Sequence, residues 1–209
     1  MATSTSTLQQ KNAKHLIQSF SDLSYINNPE ATHIISRADG VYIYDNDGKK
    51  ILDSMSGLWC VNMGYGQKSI IDAVNEQMKE LVYYNNFFGS SHPSAIKLSE
   101  MIADKTPPGM NKVYFTGSGS EANDTVVRLA RHYWAAKGKP SKSVIISRKN
   151  AYHGSTMAGA SLGGMSAMHA QGGLPIPDIE HVDQPYYYDA CVEAGGKIDA
   201  DEFGLKVAQ

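Results

Sequence analysis

Residues 114–124 read YFTGSGSEAND, and the helix-forming stretch TVVRLARHYW follows directly. Gly117 and Gly119 bracket Ser118, Ser120 adds a second hydroxyl, and Glu121 brings a carboxylate. Where a strand hands over to a helix, the first N–H groups and the positive dipole end of the helix point outward. Glycines there let the backbone close on a ligand and adopt conformations that other residues avoid. Ser118 followed three residues later by Glu121 also fits a capping box, which fixes where the helix begins. The chemistry that this set supports is capture of a phosphate. The plain structural alternative is a tight strand–helix turn with a good N-cap.

A second candidate is NAYHGST at 150–156, just after the next expected strand. A tyrosine at the carboxyl end of a parallel strand can lie over a ligand held at the neighbouring strand–helix turn. The ring of Tyr152 offers a flat surface to an aromatic group, and its hydroxyl can hydrogen-bond. His153 has no second histidine at metal-ligand spacing, so no metal site is expected. Tyr152 and His153 are equally at home as ordinary loop residues. Beside a phosphate turn, they suggest a phosphorylated aromatic cofactor. A rival reading is the dinucleotide fingerprint, because Gly117-x-Gly119-x-x-Ala122 formally fits GxGxxA. That motif expects an acid about 20 residues on. The next strand ends instead in Ser147-Arg148-Lys149.

The elements that must position these residues follow from hydrophobic period and turn chemistry. Leu16, Phe20 and Leu23 suggest a short amphipathic helix over 12–23. GVYIYDNDGKKILD reads as a hairpin, with Val41 and Ile43 on one face and Lys50–Leu52 returning. Ile70, Val74, Met78 and Leu81 mark a helix from about Lys68 to Val82. A further helix starts near Pro93 and stops at Pro107-Pro108-Gly109. Then come a strand (Lys112–Phe115), the bare turn, a helix (about Glu121–Lys137), a strand (Ser143–Ser147), a loop and a short helix. Strands alternating with helices predict an α/β fold with a mostly parallel sheet. Ala200 to Gln209 reads as a helix without a C-terminal stop. So few strands leave sheet faces uncovered, so the chain reads as part of a larger protein.

Composition narrows the function further. The 209 residues are 42% hydrophobic and 19% charged, with a formal charge of −2. Fifteen lysines and four arginines form no basic run, which excludes a general nucleic-acid binder. Cys60 and Cys191 lie outside any CxxC pattern, so neither zinc nor a redox pair is expected, and their scarcity suits a reducing compartment. The N-terminus MATSTSTLQQKNAK is polar and lacks an apolar run or arginine, and no membrane span follows. A frayed N-terminus and a cytoplasmic location are the expectation.

GSGSEAND and NAYHGST, preceded by LDSMSGLWCVNMGYG and YYNNFFGSSHP, together resemble the class III aminotransferases, and among them the omega-type amine–pyruvate transaminases. The resemblance runs from about Phe20 to the end, LPIPDIEHVDQPYYY included. It implies a fold-type I enzyme that uses pyridoxal 5′-phosphate. Residues 1–60 would be an N-terminal segment of the small domain, and 61–209 the first part of the large cofactor-binding domain. Ser118, Gly119 and Ser120 would hold the phosphate, and Tyr152 would lie against the pyridine ring. His153 and Gly154 would shape that loop. Trp59 would line the amine pocket with Phe20, and Phe87 and Phe88 would reach the active site across a two-fold homodimer interface. Core anchoring for Trp59 and plain interface packing for the phenylalanines are the alternatives.

No catalytic residue is assigned within the chain. The family's Schiff-base lysine and its pyridinium-binding aspartate come well downstream of the YHG motif, beyond Gln209. Lys149 does not match that lysine and reads as a solvated strand-end residue. The implied activity moves an amino group from an amine or ω-amino acid to a 2-oxo acid such as pyruvate. The readings of other classes are a non-catalytic fragment that binds phosphate ligands or a partner chain, and a dinucleotide-binding oxidoreductase.

Overall fold

The computed structural model describes residues 3–208. Contacts divide them into two compact units that meet in sequence at Ala95 and Ile96.

The first unit opens on helix α1 (Thr5–His15), capped by Ser4, whose Oγ accepts the Thr7 N–H at 3.3 Å. Lys14 and His15 in its last turn complement the dipole. The helix therefore sits upstream of the expected one, and from Thr5 the polar start is helical rather than frayed. The reason lies in its bonding face. Gln9 Nε2 donates to the Thr32 carbonyl at 2.9 Å, and Asn12 Nδ2 donates to Thr32 Oγ1 at 3.1 Å. Thr5 Oγ1 meets the turn at Asp47 and Asn46. Thr5, Gln9 and Asn12 share a helix face by spacing, but the face is polar, so hydrophobic periodicity misses it. Only Leu23–Ile26 (α2) of the expected 12–23 neighbourhood is helical afterwards, with a single 3₁₀ turn at Pro29–Ala31.

Three antiparallel strands follow in the order β1 (Ile35–Asp39), β2 (Tyr42–Asp45) and β3 (Lys50–Leu52). The expected β2–β3 hairpin is present, with Tyr42 opposite Leu52 and Tyr44 opposite Lys50. Asp45 Oδ1 accepts the N–H groups of Asp47 and Lys49, which closes the turn. Cross-strand cations sit over rings, Arg37 at 3.5 Å from the Tyr44 centroid and Lys50 at 3.8 Å from that of Tyr42. One short helical turn, α3 (Ser56–Trp59), precedes α4 (Lys68–Glu80). Helix α5 (Pro93–Ala103) begins at Pro93 as expected and contributes most of its residues to the second unit.

The second unit carries α6 (Gly119–Ala136), β4 (Ile145–Arg148), α7 (Met157–Leu162), α8 (Ser166–His169), β5 (Ile179–Val182), α9 (Tyr187–Glu193) and α10 (Ala200–Ala208). Strands β4 and β5 pair in parallel, Ile145 opposite Ile179 and Arg148 opposite Val182. Residues 112–115 are not a strand, because no neighbour pairs with them among the described residues. The core is small: Val127 of α6, Ala158 and Leu162 of α7, and Ile179 of β5, with Ile145 and Ile176 against them. Helix α7 is buried from Ala158 to Leu162 because its residues are small. The wholly buried Ser161 is satisfied, donating to the Met157 carbonyl and accepting the Ile176 N–H.

Candidate active site

The bare turn does begin a helix, and Ser118 is its N-cap. Ser118 Oγ accepts the Glu121 N–H at 3.2 Å, and Glu121 Oε2 reaches back to accept the Gly117 N–H at 2.7 Å. This reciprocal pair ties down two donors and leaves the N–H groups of Gly119 and Ser120 without an intrahelical acceptor. The glycines act differently from the expectation. Neither Gly117 nor Gly119 lies in the left-handed region. At Gly117 a Cβ would stand 2.8 Å from Glu121 Oε2, so a side chain there would make the capping carboxylate shift. At Gly119 a Cβ would meet nothing within 4 Å, so the helix mouth is open at that point.

Every third or fourth residue of α6 then serves the same loop. Ser120 Oγ accepts the Ser155 N–H at 3.1 Å. Asn123 Nδ2 donates to the His153 carbonyl at 2.6 Å. Asp124 Oδ1 accepts from Thr156 Oγ1 at 2.6 Å and from the Gly159 N–H at 3.0 Å. Gly154, buried and at φ +123, packs so closely on Ser120 that a Cβ would lie 2.9 Å from its Cα. The two sequence motifs are thus one object, with Ser118, Gly119 and Ser120 fixed beside His153 and Gly154. Tyr152, in the same loop, is half-exposed. Asn123, Asp124 and Thr156 were not singled out by the sequence, although the spacing of Asn123 and Asp124 from Ser120 on one helix face was there to be read.

The donor chemistry fits an anion. Ser118 Oγ and Ser120 Oγ both accept from backbone N–H groups, which leaves the hydroxyl proton of each to donate outward. With the Gly119 and Ser120 amides, they form a donor set at a positive dipole end. Lys149 stays outside this set. Its Nζ pairs with Asp183 Oδ1 at 2.7 Å, in solvent, and that hydrogen bond holds the ammonium above the usual lysine range. Its side chain is solvent-exposed just past the end of β4. Among the described residues no acidic or histidine cluster could hold a metal ion.

The aromatic candidates for the amine pocket, Phe20, Trp59, Phe87 and Phe88, all lie in the first unit. Phe87 and Phe88 have ring centroids 6.0 Å apart, and Phe88 is fully exposed. Phe20 is exposed and left-handed at φ 53, as is Phe88 at φ 54. Trp59 is 81% exposed and therefore is not a core anchor within this unit. It closes α3, where Ser56, Gly57, Leu58 and Trp59 have φ of 49, 58, 67 and 64. This is a left-handed turn, bonded Trp59 N–H to Met55 carbonyl at 2.8 Å and Cys60 N–H to Ser56 carbonyl at 2.9 Å. Left-handed winding costs L-residues about 1–2 kcal/mol each. Three of the four residues are not glycine, so the turn stores several times that.

Sequence comparison gives the same direction. The family described as Aminotransferase class-III matches residues 25–202. The chain belongs to the class III aminotransferases. Its sequence is 54% identical to a putrescine–pyruvate aminotransferase of Pseudomonas aeruginosa over 93% of this chain and 42% of that protein. A diaminobutyrate–2-oxoglutarate transaminase of Halomonas elongata is 40% identical over 80% of the chain and 36% of its own length. The fold matches an (S)-enantioselective omega-transaminase from Thermomicrobium roseum with a TM-score of 0.89 at 31% identity, over 99% of this chain and 45% of that one. The chain thus spans under half the length of these relatives and has the fold of the type I pyridoxal-phosphate transferases. Membership in this family replaces the dinucleotide reading of the glycine turn.

Proposed function

We propose that the complete encoded protein is an aminotransferase moving the amino group of a primary amine or ω-amino acid onto a 2-oxo acid such as pyruvate, with pyridoxal 5′-phosphate as cofactor. The observation that carries this is the helix mouth of α6, with two serine hydroxyl protons and two amides left to donate, stapled to the Tyr152–Gly154 loop. Ser118, Gly119 and Ser120 would hold the phosphate and Tyr152 would offer its ring to the pyridine, with His153 and Gly154 shaping that loop. When bound, the cofactor supplies an electron sink for the carbon that carries the amino group. Trp59 and Phe20 line the amine pocket and exclude water from it. Phe87 and Phe88 serve the site of a second copy in a homodimer. The lysine that binds the cofactor covalently and the aspartate that protonates its ring nitrogen follow the YHG motif at a distance, outside residues 1–209. Residues 1–60 contribute to the small domain and the remainder to the cofactor domain. The free thiols of Cys60 and Cys191 agree with a cytoplasmic enzyme. Pyruvate is favoured as acceptor by the putrescine–pyruvate relative.

The test uses the complete encoded protein, titrated with pyridoxal phosphate and then assayed for alanine formed from pyruvate with putrescine or 4-aminobutyrate as donor. Stoichiometric binding and donor-dependent alanine are expected. Binding that survives conversion of both Ser118 and Ser120 to alanine undiminished refutes the phosphate assignment. Absence of alanine with every donor refutes the reaction.

A further inference from the structure

We infer that Asp53 and Tyr65 are positioning residues that lock the left-handed Ser56–Trp59 turn and thereby set where the Trp59 indole stands; the inference rests on Trp59 lining the amine pocket. Neither residue is among those that the phosphate and ring contacts require. The carboxylate of Asp53 is the hub. Its Oδ1 accepts the Met55 N–H at 3.2 Å, and its Oδ2 accepts the Gly57 N–H at 2.8 Å and the Tyr65 hydroxyl at 2.7 Å. Asp53 thus caps the turn at its start, with one oxygen on each of two backbone amides.

Tyr65 fixes the other side. Its backbone exchanges two bonds with Gly40, N–H to carbonyl at 2.7 Å and carbonyl to N–H at 3.2 Å, so the ring is anchored to the β1–β2 corner of the sheet. The space inside the clamp is full. A Cβ at Gly57 would lie 3.0 Å from the Tyr65 hydroxyl and 2.9 Å from Val61 Cγ2. Gly57 is therefore the single residue of the turn with no side chain because the clamp occupies the room. The geometry spends strain on an exposed tryptophan. Within its own unit that arrangement gains no burial for the indole, which is the pattern of a strained backbone held for a ligand. Asparagine at 53 offers one acceptor oxygen where three donors converge, so either the Met55 amide or the Gly57–Tyr65 pair faces an NH₂ group.

The experiment measures, in the complete enzyme, the kcat/KM ratio between a bulky aromatic amine and a small aliphatic amine for Tyr65→Phe, Asp53→Asn, Trp59→Ala and the double variant Asp53→Asn with Trp59→Ala. Asp53→Asn and Tyr65→Phe are expected to move the ratio at least threefold, through KM for the amine, with pyridoxal phosphate affinity within twofold of the parent. In the Trp59→Ala background, Asp53→Asn is expected to add no further change in the ratio, because the group it positions is gone. Equal shifts in both backgrounds overturn the inference, since they show a general structural loss. If Trp59→Ala itself leaves the ratio unmoved, the pocket assignment fails instead. The clamp is then judged by Trp59 fluorescence, taken as the difference between each protein and the same protein carrying Trp59→Phe, where unchanged emission and acrylamide quenching on Asp53→Asn overturn it and a more quenchable indole supports it.

Discussion

Replacing Gly119 with alanine separates two quantities that most active-site mutations confound. Gly119 is the first residue of α6 and does not use the left-handed region, and its added methyl meets nothing within 4 Å. Folding should therefore gain from the substitution, by about 0.4–1 kcal/mol through the unfolded chain's lost freedom. The methyl points toward the helix N-terminus, as every Cβ on a helix does, and so enters the mouth where an anion must sit. Displacing the phosphate from one charge-assisted amide bond costs about 1.5–3 kcal/mol. At 1.4 kcal/mol per tenfold, the dissociation constant for pyridoxal phosphate should rise by roughly 10–100-fold. The assay pairs equilibrium titration of the apoenzyme, followed by cofactor absorbance, with denaturant unfolding of the same apo samples. Unchanged affinity together with unchanged stability refutes the reasoning, because it means that the open space at Gly119 is not where the anion binds.

Gly154→Ala should behave oppositely and weaken both properties. Its φ of +123 and the 2.9 Å approach to Ser120 Cα predict a loss of about 2–5 kcal/mol, read as an earlier midpoint in urea. Borohydride reduction of the holoenzyme followed by peptide mapping should leave Lys149 unlabelled, and Lys149→Ala should keep alanine formation within twofold of the parent. The Asp53 clamp should not titrate in the working range. The Tyr65 hydroxyl, with the Gly57 and Met55 amides, holds this carboxylate below its ordinary value, so its contribution is complete above about pH 4 and is lost only as pH falls through the depressed value. The amine-preference ratio should accordingly stay flat between pH 6 and pH 9 in the parent, roughly one pH unit or more clear of any carboxylate; a step inside that window would count against the clamp.

The sequence was legible where local chemistry decides the structure. The β2–β3 hairpin, α4, α5 and the Ser118 cap all follow from a turn signal or a period within a few residues. What escaped depended on partners. Helix α1 binds through Thr5, Gln9 and Asn12, whose polarity carries no hydrophobic signal. Residues 112–115 have strand composition but no ladder partner among those described. Strand β5 alternates buried Ile179 and half-buried His181 with more exposed neighbours over only four residues, too few to stand out. In the site, each motif was visible by itself. The staples joining them link Ser120 to Ser155, Asn123 to His153 and Asp124 to Thr156 across 35, 30 and 32 residues, and no local pattern encodes such a pairing.

Those staples also explain how the mouth of α6 is held in place with so small a core. Ser120, Asn123, Asp124 and Val127 fall on one face of α6 at helical spacing. The first three hold the Tyr152–Thr156 loop by hydrogen bonds, and the fourth is buried against Ala158, Leu162 and Ile179. The helix thus uses polar contacts where it must leave its N–H groups facing a ligand, and apolar contacts one turn further on, where nothing has to be admitted. Gly159 joins the two halves. It is buried in α7, its N–H answers Asp124, and a Cβ there would stand 2.9 Å from the His153 carbonyl. The loop, the helix mouth and the core are therefore held by contiguous contacts rather than by a separate scaffold. A phosphate bound at Gly119 and Ser120 inherits its position from Val127 within three turns of the same helix.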